Sequence, residues 1–328
     1  MKRVRFAPSP TGSLHVGNAL SAVANRRFGD RMLLRIDDTD PARNVPGGEE
    51  AILRDLEWIG VAWDEGPVRQ SERQDRYREA AERLGERFDG TTLLREDGTA
   101  TYHLASVVDD VDFSITHVIR GNDHRPNENL HRRLFEALGA RPPEFVHHGL
   151  ILGEDGKKLS KRAEGATVAS LRDAGIPAEA VRAYLDELGA PRHDVRYDLP
   201  RIRRLAVEAI GALGDEELAA RVGVPVSVVP VLRGARNLKE AREYAELVLN
   251  APEPVHIAPE TLERFRELAG EDPRAIVREL KAVGGDLRAL RLALTGSDRG
   301  PELWAVLAAL PQDEAVRRVE SSLAQPLR

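Results

Sequence analysis

The sequence contains no cysteine and no long uninterrupted apolar run. Without cysteine the chain has neither disulfide bonds nor thiolate metal sites, so we expect no zinc. The apolar runs are too short to cross a bilayer, and the first residues lack the apolar segment of a secretory signal. We therefore expect a cytoplasmic protein without a membrane partner. At 328 residues the chain is long enough for two or three domains.

Acidic residues outnumber basic ones, 54 against 48, and the formal net charge is −6. A nucleic-acid partner would therefore have to bind local basic patches. Lysine is scarce, with only six among the 48 basic residues, and three of the six lie within positions 157–161. This cluster indicates a site that requires compact ammonium groups; the alternative is a basic surface loop.

The segment 5–18, RFAPSPTGSLHVGN, predicts a strand, a tight loop and the start of a helix. Gly12 and Gly17 allow the backbone to approach a ligand closely. The amides at the start of the helix favour an anion such as a phosphate, and His15 can donate a hydrogen bond to it. The alternative is an ordinary strand-to-helix turn in which His15 caps its own helix.

Strands and helices alternate over the first half of the chain, which predicts an α/β, doubly wound parallel sheet. The predicted strands are 4–7, 32–36, 102–108, 113–119 and 145–152, and the predicted helices start near 16 and cover 52–59, 74–87 and 127–138. The segment 88–101 predicts a small hairpin, which is too short for a separate domain. From 167 onward the pattern is mainly helical and predicts an all-α C-terminal region.

Charged residues follow two of the predicted strands. Asp37 follows the strand 32–36, where it can meet an amino group; the alternative is a solvated turn. Lys158 and Lys161 follow the strand 145–152 and can reach the same sheet edge as His15. Lysines near a polyphosphate stabilise the charge that develops on the leaving group.

Two motifs, HVGN at 15–18 and KLSKR at 158–162, resemble the HIGH-type and KMSKS-type signatures of class I aminoacyl-tRNA synthetases. Longer phrases resemble the bacterial glutamyl-tRNA synthetase family: RFAPSPTGSLHVGNA, LRIDDTDPAR, EGPVRQSER, DGTATYHLASVVDD, ITHVIRGNDH and LILGEDGKKLSKR. The resemblance covers most of residues 1–190, and the segment from Leu290 resembles that family's anticodon-binding end. It implies a Rossmann-like class I catalytic domain followed by the helical region.

The resemblance also implies the roles of individual residues. It places ATP on His15, Gly17, Asn18, Leu159, Ser160 and Lys161, with His15, Lys158 and Lys161 as catalytic residues. It places glutamate on Arg5, Ala7, Ser9, Asp37, Tyr102, Ser106 and Arg120. Arg120 is expected to pair with the side-chain carboxylate, because a guanidinium holds a carboxylate bidentately. The implied cofactors are ATP and Mg²⁺, with no protein metal ligands, and the implied partner is tRNA(Glu), bound by a monomer.

The sequence departs from the family in several places. Asp37 stands where the family usually has Glu, and Ser106 where some relatives have Asn. The insertion that binds the tRNA acceptor end is reduced to about 90–100, and the cysteines that some relatives use for zinc are absent.

Three domains are expected: a catalytic domain at 1–163 with a shortened insertion near 89–100, a stem-contact region at 164–235 and an anticodon-binding-like domain at 236–328. Arg233 or Arg236 is expected to contact the anticodon; the alternative is a solvated helix face with acid–base pairs.

The expected activity is that of a glutamate–tRNA ligase, which forms glutamyl-adenylate from ATP and transfers the glutamyl group to the 3′ end of tRNA(Glu). One alternative is a related enzyme that transfers activated glutamate to a modified tRNA base, a carrier or a small amine, which the shortened insertion would suit. A second is a non-catalytic tRNA-binding protein. The presence of His15, Arg120 and Lys161 together disfavours that second alternative.

Overall fold

The structure, a computed structural model, describes residues 1–254 and 259–323. The chain divides into two compact units. The first comprises Met1–Asp173 and Val181–Leu199, and the second comprises Ala174–Ala180 and the chain from Pro200 onward. The first unit contains the predicted α/β region, and the second contains the predicted helical region.

Parallel strands form the framework of the first unit. Its strands are β1 (Arg3–Phe6), β2 (Arg31–Ile36), β3 (Glu65–Arg69), β4 (Arg87–Phe88), β5 (Thr91–Thr92), β6 (His117–Gly121), β7 (Glu144–His148), β8 (Ile151–Leu152) and β9 (Val195–Arg196). Strands β1, β2 and β3 are neighbours and run parallel, as do β6 and β7. The backbone N–H of Thr116 donates to the carbonyl of Arg3 (2.9 Å), which joins the start of β6 to β1. The predicted parallel α/β architecture is confirmed.

The helices of this unit connect the strands. They are α1 (Val16–Phe28), α2 (Gly48–Trp58), α3 (Gln74–Leu84), α4 (Tyr102–Asp112), α5 (Glu128–Ala137) and α6 (Val168–Asp173), while α7 (Ala178–Leu188) is divided between the two units. Helix α1 begins where the sequence predicts and ends at Gly29. A Cβ at Gly29 would lie 2.3 Å from a methyl carbon of Val4, so only glycine allows α1 to pack closely on β1.

The predicted strand 102–108 is wrong, because this segment begins helix α4. Its short, mostly apolar run fits both a helix and a strand, and only the length of the element distinguishes the two. Leu104, Ala105 and Val108 are completely buried in a cluster that also includes residues of α3 and α5. Val111 packs against the same cluster, which continues the helical spacing beyond the predicted end of the strand.

Other boundaries also differ from the prediction. Strand β6 begins at His117, four residues after the predicted start. The predicted strand 145–152 is two strands, β7 and β8, separated at Gly149. A Cβ at Gly149 would lie 1.9 Å from the carbonyl oxygen of His193, so the close approach of that backbone explains the break. The hairpin within 88–101 is confirmed: β4 and β5 pair antiparallel, and Leu94 bridges to Ala100.

The second unit consists mainly of helices, which confirms the predicted all-α region. They are α8 (Leu199–Ala212), which begins at the division between the units, α9 (Asp215–Val222), α10 (Val229–Leu232), α11 (Leu238–Leu249), α12 (Pro259–Leu268), α13 (Pro273–Ala282), α14 (Leu287–Thr295), α15 (Leu303–Ala309) and α16 (Gln312–Leu323). Val231, Leu262, Leu290 and Val306 are completely buried in its core. None of the helices in the described part of the chain has the length and apolar character needed to cross a membrane.

A buried arginine links the strands of the first unit to α4. Arg35 in β2 is 1% exposed, and its Nη1 donates to Asp110 Oδ1 (2.8 Å) while its Nε donates to Asp37 Oδ1 (2.7 Å). Asp110 also accepts from Arg5 Nε in β1, at 3.2 Å from each carboxylate oxygen. Buried charges are tolerated when they are paired and hydrogen-bonded in this way.

Asp109, the neighbour of Asp110, is completely buried and connects α4 to α3. Its carboxylate accepts from Gln70 Nε2 (2.8 Å), from Arg73 Nε (2.8 Å) and from the hydroxyl of Tyr77 (2.9 Å). Arg35 Nε lies 3.5 Å from Asp109 Oδ2. These donors together require a negatively charged acceptor at this position.

Asp109→Asn should destabilise the chain by about 3–5 kcal/mol, because it removes the buried negative charge that Arg73 and Arg35 face and places an amide NH2 among hydrogen-bond donors. Asp112→Asn is the matched control. Asp112 pairs with Arg73 and Arg76 and is partly exposed, so its loss should cost less than about 1 kcal/mol. Urea unfolding of the full chain measures both variants, and equal losses would contradict the special role of Asp109.

Candidate active site

A cavity of about 630 Å³ opens at the carboxyl ends of the parallel strands in the first unit. Its wall includes residues that closely follow four strands: Ala7 after β1, Asp37 after β2, Asp123 after β6 and Gly149 after β7. Open parallel sheets bind ligands at this edge. The volume is that of a typical small-molecule site.

Most of the predicted site residues line this cavity. The lining includes Arg5, Ala7, Ser9, His15, Gly17, Asn18, Asp37, Tyr102, Arg120, Lys158, Leu159 and Lys161. Two predicted residues do not line it: Ser106 is buried within α4, and Ser160 is exposed and accepts a hydrogen bond from the backbone of Arg162.

His15 lies at the N-terminus of α1, where its ring is oriented by the backbone. The N–H of Gly17 donates to His15 Nδ1 (3.1 Å), so the neutral ring carries its hydrogen on Nε2. This Nε2 is buried and has no hydrogen-bond partner among the described residues. Burial, followed by the ammonium groups of Lys161 and Lys158, lowers the pKa of His15 to about 4. His15 therefore presents a neutral N–H donor to the cavity near pH 7.

The loop 153–162, here called the lysine loop, contacts the loop between β1 and α1. Lys161 Nζ donates to the carbonyl (3.1 Å) and to the hydroxyl (3.0 Å) of Thr11. Lys158 Nζ donates to Asp123 Oδ2 (2.6 Å), which follows β6. Burial and then the charge of Arg43 lower the pKa of Lys161. The ammonium groups of Lys161 and Lys158 thus both act on His15, and this positive charge favours a polyanion such as a triphosphate.

Arg120 contributes a second cationic region of the cavity. Its Nε donates to His147 Nε2 (3.2 Å), and its Nη1 lies 3.4 Å from both the Tyr102 hydroxyl and His131 Nδ1. Its Nη2 is buried without a partner among the described residues. Burial lowers the pKa of Arg120, but a guanidinium stays protonated near neutral pH. The arrangement leaves a buried cation that lacks an anion.

Asp37 contributes a carboxylate to the same cavity. Arg35 holds it from behind through two hydrogen bonds of 2.7 and 3.3 Å. Burial raises the pKa of Asp37 against the opposing effect of Arg35. An arriving ammonium group would add a second cation and favour the charged carboxylate. One cavity therefore contains an acceptor for an amino group and a donor for a carboxylate.

The family described as "tRNA synthetases class I (E and Q), catalytic domain" matches residues 1–87 and 85–199. The chain belongs to this family. Synthetases of this family use ATP, generally with Mg²⁺. Lys158, Lys161 and the start of α1 lie in the part of the cavity that suits its phosphates.

Curated relatives resemble this synthetase over nearly its whole length. Glutamate–tRNA ligase 1 of Rubrobacter xylanophilus is 34% identical over 426 residues, covering 99% of each chain. Glutamate–tRNA ligase of Akkermansia muciniphila is 32% identical, covering 97% of this chain and 98% of the relative. Because these alignments exceed the 328 residues of this chain, the relatives contain segments that this synthetase lacks.

A solved structure shares the fold of the synthetase. The glutamate tRNA ligase of Elizabethkingia meningosepticum superposes with a TM-score of 0.78 at 24% identity, covering 98% of this chain and 99% of that chain. At this identity the likeness concerns the fold alone.

Several residues of the cavity were not predicted from the sequence of the synthetase. Arg95 lies in the short hairpin, lines the cavity and donates to the carbonyls of Thr39 (3.1 Å) and Ala100 (2.6 Å). It thereby ties the hairpin to the loop that follows β2. His148 also lines the cavity, and its Nε2 lies 2.8 Å from the hydroxyl of Ser21. No sequence motif marks the contacts of Arg95 with Thr39 and of His148 with Ser21, because these partners are distant along the chain.

The two arginines predicted to contact the anticodon have different surroundings in the second unit. Arg233 Nη1 donates to the carbonyls of Ile210 (3.1 Å) and Leu213 (2.7 Å) around the end of α8, and its Nη2 contacts Asp215. Arg236 has a side chain that is 79% exposed and pairs with Glu240 (2.6 Å). It also lines an open cavity of about 360 Å³. Of the two, Arg236 is more accessible to a partner.

A protein metal site requires several ligating side chains that lie close together. Within residues 1–254 and 259–323 the structure shows no group of three or more His, Cys, Asp or Glu side chains that could hold a metal ion. The donor set of the cavity is mainly cationic or neutral on its lysine side, which suits a metal ion that arrives with the phosphates better than one held by the protein.

The pKa of His15 should rise in Lys161→Ala, because the ammonium charge that opposes protonation most strongly is removed. It should stay below the ordinary 6.5, since burial remains the larger cause. NMR titration of the histidine ring nitrogens measures this shift. His148, whose pKa is lowered mainly by burial, should keep its midpoint. An unchanged His15 midpoint would show that Lys161 does not act on this ring.

Proposed function

We propose that this synthetase is a glutamate–tRNA ligase. It condenses L-glutamate with ATP to give glutamyl-adenylate and pyrophosphate, and then transfers the glutamyl group to the 3′ end of tRNA(Glu). The observation that carries the proposal is the buried Arg120, whose Nη2 has no partner among the described residues and which shares a cavity with Asp37. The activity of the curated relatives supports it.

Arg120 and Asp37 bind the two ends of the amino acid in this proposal. Arg120 donates to the side-chain carboxylate of glutamate, and Asp37 accepts from the α-ammonium group. Glutamine would bring a neutral amide to Arg120 and leave the buried cation uncompensated, so it binds poorly. The remaining glutamate-binding residues of the proposal are Arg5, Ala7, Ser9 and Tyr102. Ser106, which the sequence also predicted, does not line the cavity.

ATP binds at the other side of the cavity. His15 Nε2 donates to a phosphate oxygen at the start of α1. Gly17 and Asn18 are also proposed to contact ATP, although their backbone N–H groups already donate to His15. Lys161 and Lys158 neutralise the negative charge of the pyrophosphate that leaves. Leu159 and Ser160 lie between these two lysines and are also assigned to ATP binding in the proposal. Mg²⁺ supplies further charge neutralisation on the phosphates when it is bound, and the proposal includes no zinc.

The chemistry requires positioning and charge stabilisation. An oxygen of the glutamate α-carboxylate attacks the α-phosphorus of ATP, and the bond from that phosphorus to the pyrophosphate oxygen breaks. His15 and Lys161 stabilise the negative charge that passes to pyrophosphate. A terminal ribose hydroxyl of tRNA then attacks the acyl carbon, loses its proton and releases AMP. No covalent enzyme intermediate is needed.

The tRNA contacts follow the domain organisation predicted from the sequence. The catalytic domain is assigned to 1–163, the stem-contact region to 164–235 and the anticodon-binding-like domain to 236–328. Arg236 is the preferred anticodon contact because its side chain is exposed, whereas Arg233 is held by carbonyls of its own unit. The proposal describes a monomeric, cytoplasmic enzyme.

Purified synthetase should attach radiolabelled glutamate to total tRNA in an ATP-dependent reaction. Lys161→Ala should lower the rate of glutamate-dependent ATP–pyrophosphate exchange by about 10²- to 10³-fold and leave tRNA binding intact, because it removes charge stabilisation from the leaving group. Lys157→Ala is the matched control, since this exposed lysine does not line the cavity.

Two outcomes would change the assignment. Formation of glutamyl-adenylate without labelled tRNA would favour transfer of glutamate to another acceptor. Equal exchange rates in Lys161→Ala and the wild type would remove Lys161 from the mechanism.

A further inference from the structure

Two arginines that line the cavity near Asp37, Arg5 and Arg120, and the buried Arg35 behind them have different partners. Arg35 pairs with Asp37 and Asp110, and Arg5 pairs with Asp110. The hydrogen bonds of Arg120 go instead to His147, Tyr102 and His131, which are all neutral groups. Arg120 is therefore oriented by protein acceptors that do not cancel its charge.

His131 is one of the two histidines that contact Arg120. It is buried, with 3% of its surface exposed, and it belongs to α5. Because Arg120 can only donate, His131 Nδ1 must be the unprotonated nitrogen. His131 Nε2 then carries the hydrogen and donates to His103 Nδ1 (3.1 Å) on α4. Arg120 thus donates a hydrogen bond to His131, and His131 donates one to His103. These two hydrogen bonds fix the tautomer of each ring.

The charges around this chain leave the histidines neutral. Burial and then Arg120 lower the pKa of His131 to about 2, and the same two causes lower the pKa of His103. Glu128 is the acid nearest to the second histidine contact, 3.5 Å from His147 Nδ1. Its carboxylate is already paired with Arg132 (2.7 Å). The carboxylate of Glu128 therefore pairs with Arg132 and not with Arg120.

We propose that His131, held by His103, is a positioning and specificity-determining residue that orients Arg120 through a neutral acceptor. The positive charge of Arg120 then remains available for the side-chain carboxylate of the amino acid. This inference rests on the proposed function. A carboxylate at position 131 would occupy Arg120 in an internal ion pair and remove the preference for glutamate over glutamine.

Three substitutions of His131 separate charge from packing. His131→Gln keeps a neutral oxygen acceptor, His131→Glu places a carboxylate of nearly the same size there, and His131→Leu removes the acceptor. The measurement is ATP–pyrophosphate exchange in the presence of tRNA, with kcat and KM determined separately for glutamate, glutamine and ATP. His117→Gln is a control at the opposite end of β6, outside the cavity lining.

His131→Gln should keep the wild-type ratio of kcat/KM for glutamate over glutamine within a few fold, whereas His131→Glu should lower this ratio by about 10²-fold. His131→Leu should raise the KM for glutamate by about tenfold with kcat and the ATP KM retained, because one hydrogen bond that orients Arg120 is lost. Thermal unfolding checks the fold of each variant. If His131→Glu does not fold, the Gln and Leu variants decide through the glutamate KM.

Equal glutamate-to-glutamine ratios in the folded Gln and Glu variants would overturn the inference, as would equal glutamate KM values in the Gln and Leu variants. A wild-type enzyme without any glutamate-dependent exchange would instead overturn the proposed function, and the inference with it.

Discussion

The cavity wall around Arg5 and Asp37 depends on the buried ion pairs of Arg35. This guanidinium joins β2 to α4 through Asp110 and holds Asp37 at the cavity wall. Asp110 in turn holds Arg5, so two residues that line the cavity are oriented from behind by one buried network. Removing one partner of such a network is far more costly than exchanging surface charges. The stability of the first unit and the orientation of these two cavity residues therefore depend on the same interactions.

Charge compensation differs between the parts of this cavity. Arg5 and Asp37 already have opposite charges beside them, whereas Arg120 has neutral partners and an unpartnered Nη2 among the described residues. The lysine loop adds a second cationic region near His15. A buried charge without a partner is costly for folding, and its cost is recovered when an anion binds. The two regions suit a carboxylate and a polyphosphate, which are the two anions that the proposed function brings into one cavity.

The sequence predicts local elements better than it predicts long-range contacts. The helix after His15, the hairpin at 88–101 and the all-α second unit are marked by turn residues and apolar spacing, and the structure contains them. Helix α4 was predicted as a strand because its short apolar run fits both periods. Its burial against α3 and α5 decides the outcome.

Many of the predicted site residues line the cavity because they lie at or just after the carboxyl ends of parallel strands, as Ala7, Asp37 and Arg120 do. Their partners were not predictable in this way. Arg35 and Asp110 are 75 residues apart, and Arg95 reaches the backbone of Thr39, 56 residues away. Each of these contacts depends on how the helices pack, and no local pattern encodes it.

The most direct test of the account measures how Arg120 contributes to the choice of amino acid. Arg120→Gln and the wild type are compared by kcat/KM for glutamate and for glutamine in the exchange reaction. The account predicts that the glutamate-to-glutamine ratio falls by at least about 10²-fold, because the cation that matches the side-chain carboxylate is lost. A ratio equal to that of the wild type would contradict the assignment of Arg120 and the electrostatic account of the cavity.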